Sequence, residues 1–244
     1  MPHDMAAVPA GMPVGSVSEP LVAADGLEYL IFLPPTWTGS ASAHPVLLFL
    51  HGVGGINNAK GCRNPGLTTQ FPLLNPAYAA KVEHIVLVPV APKENWLNHF
   101  ASCMALVDDA VANLGGDPKR VSVAGQSMGG AGAWLFASKQ PDRFCAVVPI
   151  CGYIPDDVMP SVVEALKAKP IWLFSSEEDD HIPPPGQPQD DPEVVITALA
   201  GNANFKSTRY PLGTKPQANI PGHVAFALAF SEEGLWPWLA AQSL

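Results

Sequence analysis

The sequence predicts an α/β fold, with a mostly parallel central sheet and helices on both of its faces. Short runs of Val, Ile and Leu recur along the chain, and amphipathic segments of helix length separate them. The chain is also long enough for one large core, because 48% of its 244 residues are apolar. We expect one domain over residues 19–244, preceded by a flexible arm over residues 1–18 that is rich in Pro, Gly and Ala.

Six apolar segments predict the strands of the sheet. Residues 27–33 alternate in polarity and then meet two prolines, as in an outer antiparallel strand. Residues 46–50 are all apolar, which is typical of a central strand covered on both faces. The other predicted strands, each short and rich in Val, Ile or Leu, are residues 85–90, 121–124, 145–150 and 171–175.

Helix-length segments lie between several of these strands. Residues 101–114 are amphipathic and end at two glycines, whereas residues 128–139 end before a proline. A third helix, over residues 160–169, begins with proline and ends before another. Residues 182–192 predict a proline-rich surface loop, and a helix over residues 193–201 follows it.

Charge and hydropathy exclude several classes of function. A formal net charge of −9, without a Lys/Arg cluster, disfavours a nucleic-acid partner. No apolar stretch approaches the roughly 18 to 20 residues of a membrane helix, and the N-terminus does not resemble a signal peptide. We therefore expect a soluble or cytoplasmic protein without a membrane partner. The spacing of the four cysteines fits neither a zinc site nor a redox pair, so we expect buried thiols, with disulfides as the alternative if a leader was removed. We expect no metal and no cofactor.

Ser127 stands in the pattern Gly-x-Ser-x-Gly, between a predicted strand and a predicted helix. A serine on such a sharp turn has a strained backbone, and Gly125 and Gly129 are needed where a side chain would clash. The N–H groups that begin the helix can stabilise negative charge on a substrate oxygen. The pattern therefore predicts a nucleophilic serine, with the Met128 N–H as one oxyanion donor.

A second glycine-rich stretch, from His51 to Gly55, directly follows the predicted strand over residues 46–50. Its glycines allow the loop to turn toward the nucleophile without obstruction by side chains. An ordinary glycine turn at the end of a strand is the alternative interpretation. Together with the serine turn, the stretch favours the Val53 N–H as the second oxyanion donor.

A nucleophilic serine needs a base that takes its proton and an acid that orients the base. If the chain order is serine, acid, histidine, the candidates after Ser127 are His181 and His223. His181 lies too close to the best acid for the two side chains to come from separate loops. We therefore predict His223 as the base, in a turn that opens a helical run over residues 224–230.

The acid is expected just after a central strand, and four carboxylates follow one there: Glu177, Glu178, Asp179 and Asp180. Most of such a charge run is expected to be a solvated loop. A metal site that includes the adjacent His181 is the less favoured interpretation, because consecutive acids point in different directions. The residues alone leave open which of the four carboxylates is the triad acid.

These stretches resemble the esterase branch of the α/β-hydrolase superfamily, which contains small carboxylesterases, feruloyl esterases, polyhydroxybutyrate-depolymerase-like proteins and peptidase-like proteins. The resemblance covers most of the chain from about residue 27 and rests on VLLFLHGVGG, DPKRVSVAGQSMGGAGAW, PIWLFSSEEDDHIP and GHVAF. It implies Ser127 as nucleophile and His223 as base. It also implies Asp179 as the acid, because relatives place the acid four residues before the proline matched by Pro183.

One departure from the family bears on the acid. Relatives often have His-Gly where this chain has Ser175-Ser176, which leaves Asp180 as an alternative to Asp179. The resemblance implies hydrolysis of a small-molecule carboxylic ester, on short-chain or aryl esters. Peptide, polyester or feruloyl ester hydrolysis by the same triad is one alternative, and a noncatalytic binding relative of the fold is another. The presence of all three triad residues favours the enzyme.

Aromatic residues after a central strand indicate where the substrate pocket lies, and the loop lengths indicate how it is covered. Trp96, His99 and Phe100 follow a central strand and are expected to line the acyl or alcohol pocket, with core packing as the alternative. Lid domains in this fold are usually inserted after the strand at residues 145–150, where residues 151–170 leave room for little more than one helix. We therefore expect no separate lid domain, an open site and a preference for short acyl groups.

Overall fold

A computed structural model describes residues 12–41, 43–62, 79–93, 95–155, 157–182, 192–214, 223 and 225–244. The described residues contain an eight-stranded sheet with the spatial order β1-β2-β4-β3-β5-β6-β7-β8. Its strands are β1 (Leu21–Val22), β2 (Glu28–Phe32), β3 (His44–Leu50), β4 (Ile85–Pro89), β5 (Gly116–Gln126), β6 (Ala146–Ile150), β7 (Ile171–Ser176) and β8 (Phe205–Tyr210).

The sheet is antiparallel at one edge and parallel elsewhere. Strand β2 pairs antiparallel with β1 and β4, whereas β4, β3, β5, β6, β7 and β8 pair in parallel. This confirms the predicted class and the antiparallel pairing of the strand near residues 27–33, although the short β1 lies outside it at the edge of the sheet. The carboxyl ends of the parallel strands meet at one edge, where loops from distant parts of the chain can form a common site.

Seven α-helices connect or cover the strands of the described chain. They are α1 (Ala59–Cys62), α2 (Phe100–Asn113), α3 (Met128–Lys139), α4 (Met159–Leu166), α5 (Pro192–Ala198), α6 (Ala225–Ala229) and α7 (Leu235–Ala240). The predicted helix over residues 128–139 coincides with α3, and the other predicted helices agree with α2, α4 and α5 within a few residues. Most of the predicted loop over residues 182–192 lies outside the described residues.

Strand β3 shows why a central strand has a continuous run of apolar residues. Val46, Leu48 and Leu50 belong to one buried cluster, to which α2, α3, α4 and α5 contribute. Leu47 and Phe49 belong to a second cluster on the opposite face, to which α6 and α7 contribute. Because successive side chains of a strand point to opposite faces, both sets of residues are buried only if helices cover both sides.

The sequence prediction missed the two-residue strand β1 and was also incomplete for β5 and β8. Strand β5 begins at Gly116 rather than at residue 121, because His44 of β3 pairs with Gly116 before the apolar part of β5 starts. Strand β8 was not predicted, because its sequence FKSTRY is mostly polar. An edge strand with little buried surface lacks the apolar pattern that identifies central strands.

Residues 1–11 of the predicted arm lie outside the described residues. Within its described part, the Gly15 N–H donates to the Leu33 carbonyl at 2.7 Å, and the Ser18 N–H donates to the Ile31 carbonyl at 2.8 Å. These bonds hold the chain against β2 just before β1. The flexible arm and the single-domain organisation stay predictions.

The segment between β6 and β7 contains one helix, α4, and this agrees with the expected absence of a separate lid domain.

No disulfide joins the four cysteines, all of which are buried and lie in the described part of the chain. Within that part, no helix has the length and apolar character needed to cross a membrane.

Candidate active site

Ser127 lies on the turn between β5 and α3, at the carboxyl edge of the sheet. Its backbone has φ 54° and ψ −121°, a conformation that residues with a side chain rarely adopt. The Ser127 N–H donates to the Ile150 carbonyl at 2.9 Å, which ties the turn to the end of β6. Strain of this kind persists only where the surrounding structure enforces it, and it is concentrated at functional sites.

The two glycines of the serine motif are required by close packing of the backbone. A Cβ atom on Gly125 would lie 2.1 Å from the Gly129 carbonyl oxygen, and one on Gly129 would lie 1.9 Å from the Leu50 carbonyl oxygen. Both distances are far below van der Waals contact, and the opposing atoms are main-chain atoms that cannot rotate away. The spacing Gly-x-Ser-x-Gly therefore allows α3 to lie directly against β3 and β5.

Gly129→Ala is expected to lower the free energy of unfolding by at least about 3 kcal/mol, because the added methyl overlaps the main chain of β3. Chemical denaturation measures the loss. Gly201→Ala is the matched control, since a Cβ atom at Gly201 would meet nothing within 4 Å. Equal stability of the two variants would contradict the packing argument.

The structure brings Ser127, His223 and Asp179 together. His223 Nε2 lies 2.7 Å from Ser127 Oγ, and His223 Nδ1 lies 2.9 Å and 3.0 Å from the two carboxylate oxygens of Asp179. The side chain of Asp179 is 3% exposed and that of His223 is 15% exposed, so water has little access to their contact. This arrangement can transfer a proton from the serine hydroxyl to the imidazole and stabilise the resulting imidazolium.

The loop after β7 fixes the carboxylate of Asp179. Asp179 Oδ1 accepts hydrogen bonds from the backbone N–H groups of His181 and Ile182, both at 2.9 Å. The carboxylate therefore keeps its orientation without help from solvent.

The other three carboxylates of the acidic run face elsewhere. Asp180 contacts the His181 ring at 2.8 Å, and this hydrogen bond lowers the pKa of the exposed Asp180 carboxyl. Glu177 accepts a hydrogen bond from the Leu212 N–H at 3.1 Å, and Glu178 accepts one from the Gly213 N–H. These two glutamates hold the turn after β8.

The glycine-rich loop after β3 is anchored by the buried side chain of His51. Its Nε2 accepts a hydrogen bond from the Ala91 N–H at 3.0 Å, and its Nδ1 lies 2.6 Å from the Gly52 carbonyl oxygen. Burial lowers the pKa of His51 to about 4, so the ring is neutral at physiological pH. A Cβ atom on Gly55 would lie 2.4 Å from this ring, which explains the glycine there. Val53, the proposed oxyanion donor, begins the short 3₁₀ turn on this loop.

His51 was predicted only as part of the glycine-rich stretch, and its anchoring role was not predicted. The available signal was its position, since it directly follows the buried central strand β3. Trp96 completes the anchor: its indole N–H donates to the His51 carbonyl at 3.1 Å, and the two rings pack edge to face.

A cleft of about 610 Å³ opens beside Ser127. Apolar residues form most of its described wall: Val53, Trp96, Leu97, Met128, Ala131, Leu135, Pro155 and Val158. Polar groups enter it from Asn95, Tyr153 and Asp157. Such a cleft suits an uncharged organic group placed beside the serine hydroxyl.

Of the three predicted pocket residues, the described lining includes Trp96 but neither His99 nor Phe100. The short 3₁₀ turn Trp96–His99 and the start of α2 direct successive side chains to different sides. The Phe100 ring consequently packs edge to face against Phe136 in the core, with centroids 4.8 Å apart. The assignment of His99 and Phe100 to the pocket stays a prediction that this cleft does not support, and Tyr153 and Leu135 were missed because they come from other segments.

Among the described residues, two groups of side chains have donor atoms close enough for a metal ion. Cys151, Asp179 and His223 form one group, and Asp179, Asp180 and His181 form the other, which is more exposed. In each group the potential ligand atoms lie within 4.8 Å of one another. Asp179 is shared between them.

A family model described as "Putative esterase" matches residues 25–228. No curated protein matches this sequence. Among solved structures, a thermostable esterase has a TM-score of 0.69 at 22% identity, over 92% of this chain and 62% of that one. A ferulic acid esterase has a TM-score of 0.63 at 16% identity, over 92% and 97% of the two chains.

An S-formylglutathione hydrolase from Agrobacterium tumefaciens has a TM-score of 0.62 at 15% identity, over 96% and 100% of the two chains. This chain thus spans less than two thirds of the thermostable esterase but nearly all of the other two structures. At these identities the three likenesses show the α/β-hydrolase fold.

Proposed function

Since the chain belongs to this esterase family of the α/β-hydrolase fold, we propose that it hydrolyses carboxylic esters through a covalent intermediate on Ser127, with His223 as base and Asp179 as acid. The observation that carries the proposal is the continuous contact from Ser127 Oγ through the His223 ring to the Asp179 carboxylate. The strained serine turn and the cleft beside it support the same assignment.

The geometry of His223 supports a defined path for the proton. When Nδ1–H donates to the Asp179 carboxylate, the lone pair of Nε2 faces the Ser127 hydroxyl. His223 takes the hydroxyl proton as the serine oxygen attacks the ester carbonyl, and it then gives that proton to the departing alcohol. A water molecule repeats the sequence and releases the acid from the serine.

We assign the oxyanion donors to the backbone N–H groups of Val53 and Met128. Met128 is the first residue of α3, so its N–H has no acceptor within the helix. Val53 begins the 3₁₀ turn, whose own hydrogen bonds use the N–H groups of Gly55 and Ile56. Two fixed donors beside the nucleophile stabilise the charge that develops on the carbonyl oxygen.

The cleft supports short-chain or aryl esters as substrates. Its wall is mainly apolar, and Trp96 and Tyr153 offer aromatic surface to a ring. The described lining contains Asp157 and no lysine or arginine, so it provides no cation for an anionic substrate group. One short helix, α4, occupies the place where a lid would be inserted.

On p-nitrophenyl esters from acetate to palmitate, kcat/KM is expected not to rise beyond the short acyl chains. Each methylene that the wall buries would add about 0.8 kcal/mol to the binding free energy. Acyl carbons that extend beyond a short wall are not buried and add nothing. Initial rates below and above the solubility limit of each ester provide the measurement, with Ser127→Ala as the blank for spontaneous hydrolysis. The highest kcat/KM on palmitate, or a jump in rate when an interface forms, would show a lid or a deep acyl groove.

A further inference from the structure

Cys151 lies beside the contact of His223 with Asp179 but has no role in the proposed reaction. It directly follows β6 and has φ 40°, a strained value for a residue with a side chain. Its N–H donates to the Phe174 carbonyl of β7 at 2.8 Å, which fixes the backbone. The Cys151 residue is 1% exposed, and its Sγ atom lies 4.0 Å from the His223 carbonyl oxygen.

Three donors of different chemistry converge at this point. The Cys151 thiol, an Asp179 carboxylate oxygen and a His223 ring nitrogen all lie within 4.8 Å of one another. Sulfur, nitrogen and oxygen donors in one small cluster are a set that zinc and cadmium ions bind. We propose that a thiophilic divalent cation, Zn²⁺ or Cd²⁺, binds this cluster from solution and inhibits the enzyme.

The orientation of Asp179 favours binding over a looser surface contact. Both carboxylate oxygens face His223 Nδ1, at 2.9 Å and 3.0 Å, but Oδ1 also accepts two backbone N–H bonds, so Oδ2 is the oxygen assigned as the ligand. The His223 side chain is 15% exposed, so a cation reaches the otherwise buried cluster along this ring. The neighbouring group formed by Asp179, Asp180 and His181 lacks a thiolate and is exposed, so water competes more strongly there.

Binding changes the protons of the site in a definite way. The Cys151 thiol loses its proton to solvent when the S–metal bond forms. His223 ligates through Nδ1, so a neutral ring must carry its proton on Nε2. That N–H then faces Ser127 Oγ and cannot accept the hydroxyl proton. The cation therefore competes with the first step of catalysis, and this inhibition rests on the proposed function of Ser127 and His223.

The test titrates the purified full chain with CdCl₂ and ZnCl₂ and follows three readouts. They are p-nitrophenyl acetate hydrolysis, fluorophosphonate labelling and the ultraviolet charge-transfer absorption of a cadmium–thiolate bond. We expect inhibition by both cations, together with one cadmium–thiolate band per chain. In Cys151→Ala the band is lost, and the inhibitory concentration, compared with that variant's own metal-free rate, rises at least about tenfold.

Two control variants locate the cation. Cys145→Ala removes a buried thiol that contacts Ser122 rather than the site, and it is expected to keep full sensitivity. His181→Ala removes a potential ligand from the more exposed group of Asp179, Asp180 and His181, and this variant is also expected to keep full sensitivity to both cations. If Cys151→Ala destabilises the fold, Cys151→Ser replaces it, since oxygen is close in size but a poor cadmium ligand.

The outcomes separate the two proposals. Unchanged inhibition of Cys151→Ala, or its loss in His181→Ala alone, would overturn the cation site. A cadmium–thiolate band at Cys151 in a protein that neither hydrolyses esters nor reacts with fluorophosphonate would retain the site and overturn the proposed function.

Discussion

Ser127→Ala is expected to lower kcat for p-nitrophenyl acetate by a factor on the order of 10⁶ and to abolish covalent labelling by a fluorophosphonate. The alanine methyl occupies the space of the serine Cβ, so the turn and its packing are preserved while the attacking oxygen is removed. Substrate binding in the cleft should change little, because Oγ contributes to the chemical step rather than to the apolar wall. Initial rates at saturating substrate and labelling analysed by mass spectrometry measure the two effects.

Ser138→Ala provides the matched control for this variant. Ser138 lies on the same helix, α3, and its hydroxyl donates to the Leu135 carbonyl at 3.1 Å, away from His223. This variant should keep both activity and labelling. Retained labelling in Ser127→Ala would instead place the nucleophile at another residue.

Asp179→Asn is expected to lower kcat on the order of 10⁴-fold, because it reverses the tautomer of His223. Asp179 Oδ1 accepts two backbone N–H bonds, so the asparagine must place its carbonyl oxygen there. Its NH₂ group then takes the position of Oδ2, 3.0 Å from His223 Nδ1, where it donates to that nitrogen and disfavours a proton on it. The ring proton moves to Nε2, which can no longer accept the proton of Ser127.

Asp180→Asn is the control, with an expected change in kcat of less than about threefold. Asp180 is exposed and contacts His181 rather than His223, so its replacement leaves the tautomer of His223 unchanged. Steady-state kinetics of both variants, with thermal unfolding to check the fold, decide between the two carboxylates. A reversed order of effects would make Asp180 the triad acid.

The serine turn and the fold class could be predicted because their signals are local. The turn needs glycines two residues before and two residues after Ser127, and both lie within one short motif. Central strands such as β3 are buried on both faces and must be apolar throughout. The edge strand β8 gave no such signal, because a polar, half-exposed strand resembles a loop in sequence.

The predicted pocket residues His99 and Phe100 show a second limit of prediction from sequence. Their position after a central strand was correct evidence for closeness to the carboxyl edge of the sheet. Whether a side chain there faces the cleft or the core depends on the turn that follows, and after this turn the Phe100 ring packs against Phe136. Periodicity does not define the rotation of a short 3₁₀ turn.

The sequence by itself determined the parallel sheet, the strained serine turn and the histidine that follows it in chain order. Only the tertiary structure decided which carboxylate faces His223, that the His51 ring is a buried anchor, and that Cys151 lies beside the contact of His223 with Asp179. His223 is 44 residues from Asp179 and 96 residues from Ser127 along the chain. Contacts at such separations depend on strand order and loop orientation, which local residue patterns do not specify.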